Sequence, residues 1–335
     1  MMLGQTHPLP IPAQPLLRSA DDLRRAMRRG ECATLRLDSA GLDRVLRRDA
    51  RRALVELQSG ASWRALAPCL EHGAAALESS LAQGVCPGTV GDAVAANAPG
   101  PDGRPVVALV EAVTLVTADG ALRHASRARD AELFALAVGG HGMFGPIYSV
   151  TLRVDALALS ARRARGPETL QQSDAHGAAR RCVVLLLPPA RQAAFIADAQ
   201  AIAEAWRAPI ARLEVAQTLP EDETALRWAK QAYAAVTLDL TLPQPLGACV
   251  RGTQVCSALI DCALAHGGSF AIGATRDASR AQLAAAYPEL ARVLAEKLRR
   301  DPEDRLGNAW YRHHRRLLDG TRLDVRWNAP QAASA

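Results

Sequence analysis

Three observations predict an α+β fold in about two domains. The chain has 335 residues, which at a usual ~150 residues per domain makes roughly two. Segments with strand-like and helix-like apolar spacing alternate in mixed order from end to end. From about Leu157 the alternation becomes strand–helix–strand, which suggests a second domain built as a sheet covered by helices on one side.

Composition narrows the class. The 49% hydrophobic and 22% charged fractions are those of a globular chain rather than a disordered or collagen-like one. The formal charge is +6, and all but two of the 40 basic residues are arginine, the exceptions being Lys230 and Lys297. The clusters around Arg24, Arg47 and Arg162 alternate with acids or helix-spaced apolar residues. They lack the aromatic interleaving of single-strand binders, so they read as solvated faces and no nucleic-acid partner is expected. The longest apolar stretch, Cys182 to Leu187, ends at Pro188-Pro189, far short of the ~18 residues of a membrane span. Pro8, Pro10, Pro12 and Pro15 interrupt any secretory apolar region, and a cytoplasmic location is expected. The seven cysteines are an odd number without a C-x-x-C pair. With no His read at metal spacing, and Cys256 and Cys262 on different helix faces, they are expected to be inert reduced thiols, and no metal site is expected.

The elements follow in order. Ser19-Ala20-Asp21-Asp22 is an N-cap opening a helix to about Arg29. Ala33–Leu37 reads as a strand, Leu42–Leu46 as a short helix and Ala53–Gln58 as a strand. Ser62-Trp63 opens a helix ending near Gly73, and a short helix spans about Val90–Ala96. A strand over Val110–Thr117 closes at the turn Ala118-Asp119-Gly120, Asp130 caps a helix through Ala137, and Ile147–Val154 is a strand. Beyond Leu157, strands are predicted at Cys182–Leu187, Ile210–Ala216, Val236–Leu242 and Phe270–Gly273. Helices are predicted at Arg191–Trp206, Thr253–His266 and Ser279–Arg300.

Two segments could carry chemistry. Gly139, Gly140, Gly142 and Gly145 lie within seven residues and allow positive φ and close backbone approach, for a ligand or for a tight structural turn. The run follows a helix and precedes a strand, the reverse of a Rossmann fingerprint, so a nicotinamide site is rejected. Thr89-Val90-Gly91-Asp92 opens a small-residue helix ending at Asn97. Its first N–H groups could hold a phosphate, or the segment could simply be a closely packed helix. His141, inside the glycine run, is expected to pack or cap, and His124 to be solvated.

Taken in order, Val55 through Trp63, Thr89-Val90-Gly91 to Asn97, Leu115 through Gly120, and Glu132-Leu133-Phe134 to Gly139-Gly140-His141-Gly142-Met143-Phe144-Gly145 resemble the FAD-binding (PCMH-type) domain of the vanillyl-alcohol oxidase superfamily. The likeness covers about residues 34–154. A second stretch, Tyr287-Pro288 through Lys297, Asp301 to Arg305 and Trp310-Tyr311-Arg312-His313-His314, looks like the C-terminal part of the same enzymes. The resemblance implies a PCMH-type domain over residues 16–155 and an α+β substrate, or cap, domain over 156–330 whose C-terminal segment returns to the first. It implies FAD as cofactor, with Thr89, Val90, Gly91 and Asn97 along the pyrophosphate and isoalloxazine, and Gly139, Gly140 and Gly142 in the turn beneath them. A small-molecule substrate, an alcohol, lactone or polyol, would give a hydride to flavin N5 while a side chain takes the hydroxyl proton. His313 and Arg312 are the candidate catalytic residues, as base or substrate anchor, Arg312 because its fork matches a carboxylate. They could equally form an exposed basic turn.

This chain departs from the family pattern at three places. The glycine- and serine-rich first loop is missing, because Ala33–Leu37 runs directly into Asp38–Leu42. Asp92 replaces the second glycine of the usual T-V-G-G, putting a carboxylate at a helix start, and Pro99 replaces a common histidine. With neither His nor Cys at that position, bound FAD would be non-covalent. The alternative is a degenerate homologue with weak or no FAD binding that acts as a scaffold or a ligand- or partner-binding protein.

Overall fold

The computed structural model describes residues 17–28, 41–70, 88–164, 166–172, 179–242, 248–273 and 275–318. The predicted strand at Ala33–Leu37 and the shortened first loop lie outside the described residues. So does the end of the helix predicted from Ser62 to Gly73; what is described there is a 3₁₀ turn over Trp63–Cys69.

The first unit is a five-stranded antiparallel sheet in the order β1-β2-β5-β3-β4. Its strands are β1 (Val45–Asp49), β2 (Leu54–Gln58), β3 (Val110–Val116), β4 (Leu122–Ser126) and β5 (Ile147–Arg153). Helix α1 (Ala20–Arg28) opens as predicted, with the Ser19 hydroxyl accepting from the Asp22 N–H and the Asp22 carboxylate accepting from the Arg18 and Ser19 N–H groups. It packs Leu23 and Met27 beside Val116. Alternate residues Val55 and Leu57, Val150 and Leu152, and Val113 and Leu115 fill the other face. Against that core lie α2 (Val90–Ala96), α3 (Ala131–Ala137) and α4 (Val154–Arg162).

Two predictions here are corrected. Leu42 to Leu46 is not helical, because its apolar residues are spent on separate tasks: Leu42 joins the α1 cluster while β1 begins at Val45. Strand β4 was not foreseen, since as an edge strand it buries only Ala125, too little to leave an alternating pattern.

The second unit is a five-stranded antiparallel sheet in the order β10-β7-β9-β8-β6. Its strands are β6 (Glu168–Gln172), β7 (Ala179–Leu187), β8 (Ile210–Thr218), β9 (Tyr233–Leu242) and β10 (Ser269–Phe270). Val183, Leu185 and Leu187 pair with Leu238, Val236 and Ala234 and are fully buried. Helices α5 (Gln192–Ala205) and α6 (Ala248–Ala265) pack on one another and on β7 and β9. The opposite face is polar, with Arg212 bonded to Asp239 and Glu214. The long helix predicted over Ser279–Arg300 is two, α7 (Arg280–Ala286) and α8 (Leu290–Arg300). Pro288 explains the break: it has no N–H to donate and disfavours helical geometry at Tyr287, whose φ is −133°. The chain then forms α9 (Ala309–Leu318). No described helix is long and apolar enough to cross a membrane.

The C-terminal helices are held by a buried cation. Lys297 is fully buried, 3.1 Å from Asp301 and paired with Asp304, with its ammonium 4.3 Å from the Tyr311 ring centre. Asp301 is satisfied further by the N–H groups of Arg305 and Leu306. Removing one partner of a buried pair strands the other in low dielectric, at about 3–5 kcal/mol. Lys297→Ala is therefore expected to lower unfolding free energy by about 3 kcal/mol or more, read as a fall in the urea midpoint at constant slope.

Candidate functional site

Helix α2 matches its predicted bounds because both ends are fixed by side chains. At its start the Thr89 hydroxyl accepts from the Asp92 N–H at 3.1 Å, and the Asp92 carboxylate accepts from the Thr89 N–H at 3.4 Å. The next two donors are also used: Val90 N–H bonds to the Ala61 carbonyl at 2.9 Å and Gly91 N–H to the Ser59 carbonyl at 2.7 Å. Glycine is required at 91, because a Cβ there would lie 2.5 Å from Ser59 Cβ. Thus the segment 59–61 and the helix start are pressed backbone to backbone.

At the other end, Asn97 stops the helix in the left-handed conformation, φ 46° and ψ 47°, and is fully buried. Its amide oxygen accepts the Val107 N–H at 3.0 Å, its amide nitrogen donates to Glu221 at 3.3 Å, and its carbonyl accepts the Trp228 indole N–H at 2.7 Å. Glu221 and Trp228 belong to the connection between β8 and β9, so the second unit is seated on the end of α2. Glu221 also accepts from the Glu223 and Thr224 N–H groups and the Thr224 hydroxyl. Burial raises its carboxyl above the usual carboxylate range, against the lowering effect of those bonds.

The glycine turn lies against the same helix end. Gly139 N–H bonds to the Val94 carbonyl and His141 N–H to the Ala95 carbonyl. Gly139 has φ +74°, and a Cβ there would stand 3.1 Å from Asn97 Cβ. At Gly140 a Cβ would collide with the Leu136 carbonyl at 2.0 Å, while Gly142, φ +75°, faces Asn308. From the C-terminal helix, Trp310 stacks on His141 with ring centres 4.3 Å apart, and His314 lies 4.0 Å from Trp310 on that ring's other contact. The Trp310 indole donates to the Ile272 carbonyl and His314 Nδ1 to the Trp310 carbonyl.

The structure therefore brings Thr89, Val90, Gly91, Asn97, Gly139 and Gly140 together around α2. Of the pair on α9, Arg312 is exposed with its guanidinium on the Gly307 carbonyl at 3.2 Å. His313 is half-buried, edge-on to His314 at 5.1 Å, and burial followed by the Arg276 charge lowers its basicity. The α9 contacts to the glycine turn come from Trp310 rather than from these two. Sequence reasoning missed Glu221 and Trp228, which sit in a segment without regular periodicity; a Trp five residues beyond the acids at 221–223 was the available signal. The cysteine reading also needs one correction, since Cys262 does have a histidine one helical turn away, His266.

Comparison with known proteins reaches the α2 part of this site. Residues 25–126 match the family model described as an FAD binding domain, a stretch that holds the end of α1, the first four strands and α2. No curated protein matches the chain. The match supports FAD as the cofactor and, in general terms, a flavin-dependent oxidoreductase. Measured against a diphosphate, the described helix start does not fit as it stands. All of its first N–H donors are engaged within the protein, and a carboxylate occupies the position that a phosphate would take.

The ring stack imposes a pH dependence. Burial lowers both His141 and His314 from 6.5 to about 4, and each ring's charge would further disfavour that of a neighbouring histidine. In the unfolded chain the rings take up protons near 6.5, whereas in the folded chain they stay neutral down to about 4. Stability is thus fully present above pH 6.5 and lost as pH falls toward 4, by on the order of 1 kcal/mol per pH unit for each ring. A melting-temperature series over this range is expected to drop steeply in the native protein and less steeply in His314→Gln.

Proposed function

We propose that the chain is an FAD-dependent oxidoreductase of the vanillyl-alcohol oxidase superfamily that oxidises a small alcohol, lactone or polyol. The observation that carries this reading is the coincidence of two independent features. The family match covers residues 25–126, and its small-residue helix is in contact with a glycine turn that lies beyond the match. His313 and Arg312 are proposed on the substrate side, Arg312 as an anchor for an anionic group. Thr89, Val90, Gly91, Asn97, Gly139, Gly140 and Gly142 are proposed on the cofactor side.

The reading is tested by the visible spectrum of purified protein before and after incubation with excess FAD and desalting. Flavin absorbance that stays with the protein is expected. A protein that remains colourless in both cases would overturn the assignment and leave the fold without its cofactor. Denaturation should release the flavin, consistent with a non-covalent complex.

Asp92→Asn is expected to tighten FAD binding, since the amide can keep the Thr89 cap while removing a negative charge from the approach of the diphosphate. A like charge near a phosphate, partly screened, costs on the order of 1 kcal/mol, so the expected gain is roughly fivefold in a fluorescence titration. An unchanged or weaker affinity would remove Asp92 from the account of binding.

A further inference from the structure

A second cluster of chemistry-bearing side chains lies on the helical layer of the second sheet, remote in sequence from the FAD-binding stretch. Cys262 and His266 stand four apart at the end of α6, where the His266 N–H still bonds to the Cys262 carbonyl at 3.1 Å and keeps both on one face. Asp198 faces them from α5, which packs on α6. His266 Nε2 and Asp198 Oδ2 are 2.8 Å apart, and one ligand atom from each of the three residues lies within 4.8 Å of the others. The Phe195 ring meets the His266 ring edge-on at 5.9 Å.

We propose that Asp198, Cys262 and His266 form a zinc site with three protein ligands and one water, clamping α5 to the end of α6. The donor set selects the metal. A thiolate with an imidazole favours zinc over magnesium or calcium, which take oxygen ligands. One thiolate and one carboxylate with a neutral imidazole balance a divalent charge. Zinc bonds of ~2.0–2.3 Å in a tetrahedron set ligand atoms about 3.5 Å apart, so side-chain rotation from the 4.8 Å envelope closes the three onto one ion. Asp198 is exposed and the other two are half-buried, so the ion has a route in and the fourth position is open to water. Loading replaces the His266–Asp198 hydrogen bond by bonds to the ion and releases the thiol proton to solvent.

Cobalt reports the geometry and the sulfur. Titration of the full chain with Co²⁺ is expected to give one equivalent of visible tetrahedral d–d bands with a sulfur-to-cobalt charge-transfer band in the near ultraviolet, both erased by one equivalent of Zn²⁺. Cys262→Ser is expected to abolish the charge-transfer band, and Cys182→Ser, on the opposite face of the same sheet, to leave it intact. Changing a group outside the ligand shell costs about 10–100-fold in metal affinity, so Asp198→Asn should weaken cobalt binding by at least about tenfold. Zinc should raise the melting temperature of the native chain and not that of Cys262→Ser or His266→Gln. Absence of a charge-transfer band in the native protein, or its survival in Cys262→Ser, would overturn the proposal. Circular dichroism of the metal-free variants separates loss of the site from loss of the fold.

Discussion

Asn97 is the residue on which the joining of the two sheets depends. It ends α2 in a left-handed turn, which frees its carbonyl from the helix and aims it at the Trp228 indole, and its amide links Val107 on one side to Glu221 on the other. A buried amide with both ends satisfied is compatible with a dry interior; leaving either partner alone costs about 1–3 kcal/mol. Asparagine is among the few residues that adopt this backbone cheaply while carrying a donor and an acceptor. Around it the second unit adds further bonds to the first: the Ala225 N–H to the Ala135 carbonyl, the Leu219 N–H to the Gly103 carbonyl, and an ion pair of Glu223 with Arg127, whose other nitrogens bind the Val110 and Val107 carbonyls. The interface is consequently built from directional bonds rather than from apolar area alone. This fixes the relative placement of the glycine turn and the β8–β9 connection.

The C-terminal helices close the same assembly from the other side. Tyr311 and Lys297 meet at Asp304, and Arg300 on the same helix pairs with Glu132 at the start of α3. The stack of His141, Trp310 and His314 therefore sits between two anchored elements, and its two imidazoles are held neutral because burial disfavours their charged form. A histidine kept neutral by burial packs like an aromatic ring, which is the role foreseen for His141 from its place in the glycine run.

What the sequence made legible was whatever is fixed locally. Thr89, Asp92 and Asn97 bound α2, and Ser19 with Asp22, and Asp130, start the helices that follow them, because a cap is a contact between residues three apart. The central strand β7 was readable through its continuous apolar run and β8 and β9 through their alternation of apolar and polar residues. The edge strands β4 and β6, Leu-Arg-His-Ala-Ser and Glu-Thr-Leu-Gln-Gln, were not, since exposure on both faces removes the alternation. Leu42 and Leu46 imitated one helical turn by spacing alone. The interface escaped for a different reason: Asn97 and Glu221 are 124 residues apart, and Asp198 and His266 are 68 apart. Such pairings are decided by packing of the sheets, which no local pattern encodes.

The closed start of α2 shows how one set of donors can serve either the protein or a ligand. The Thr89–Asp92 box is a modest interaction, about 1 kcal/mol for a cap of this kind, and an incoming diphosphate that offers two negative charges to the helix dipole could replace the Asp92 carboxylate at comparable cost. The Val90 and Gly91 donors differ. Their acceptors are the carbonyls of Ala61 and Ser59, held by the turn that follows β2 and by the absence of a side chain at Gly91. Freeing them means moving that turn, which Ser59 ties to the Tyr148 carbonyl through its N–H. The Thr89 and Asp92 donors can therefore be exchanged for a ligand by rotation of the Asp92 and Thr89 side chains, and the Val90 and Gly91 donors are committed to the fold. The exchangeable pair is where the sequence carries an aspartate.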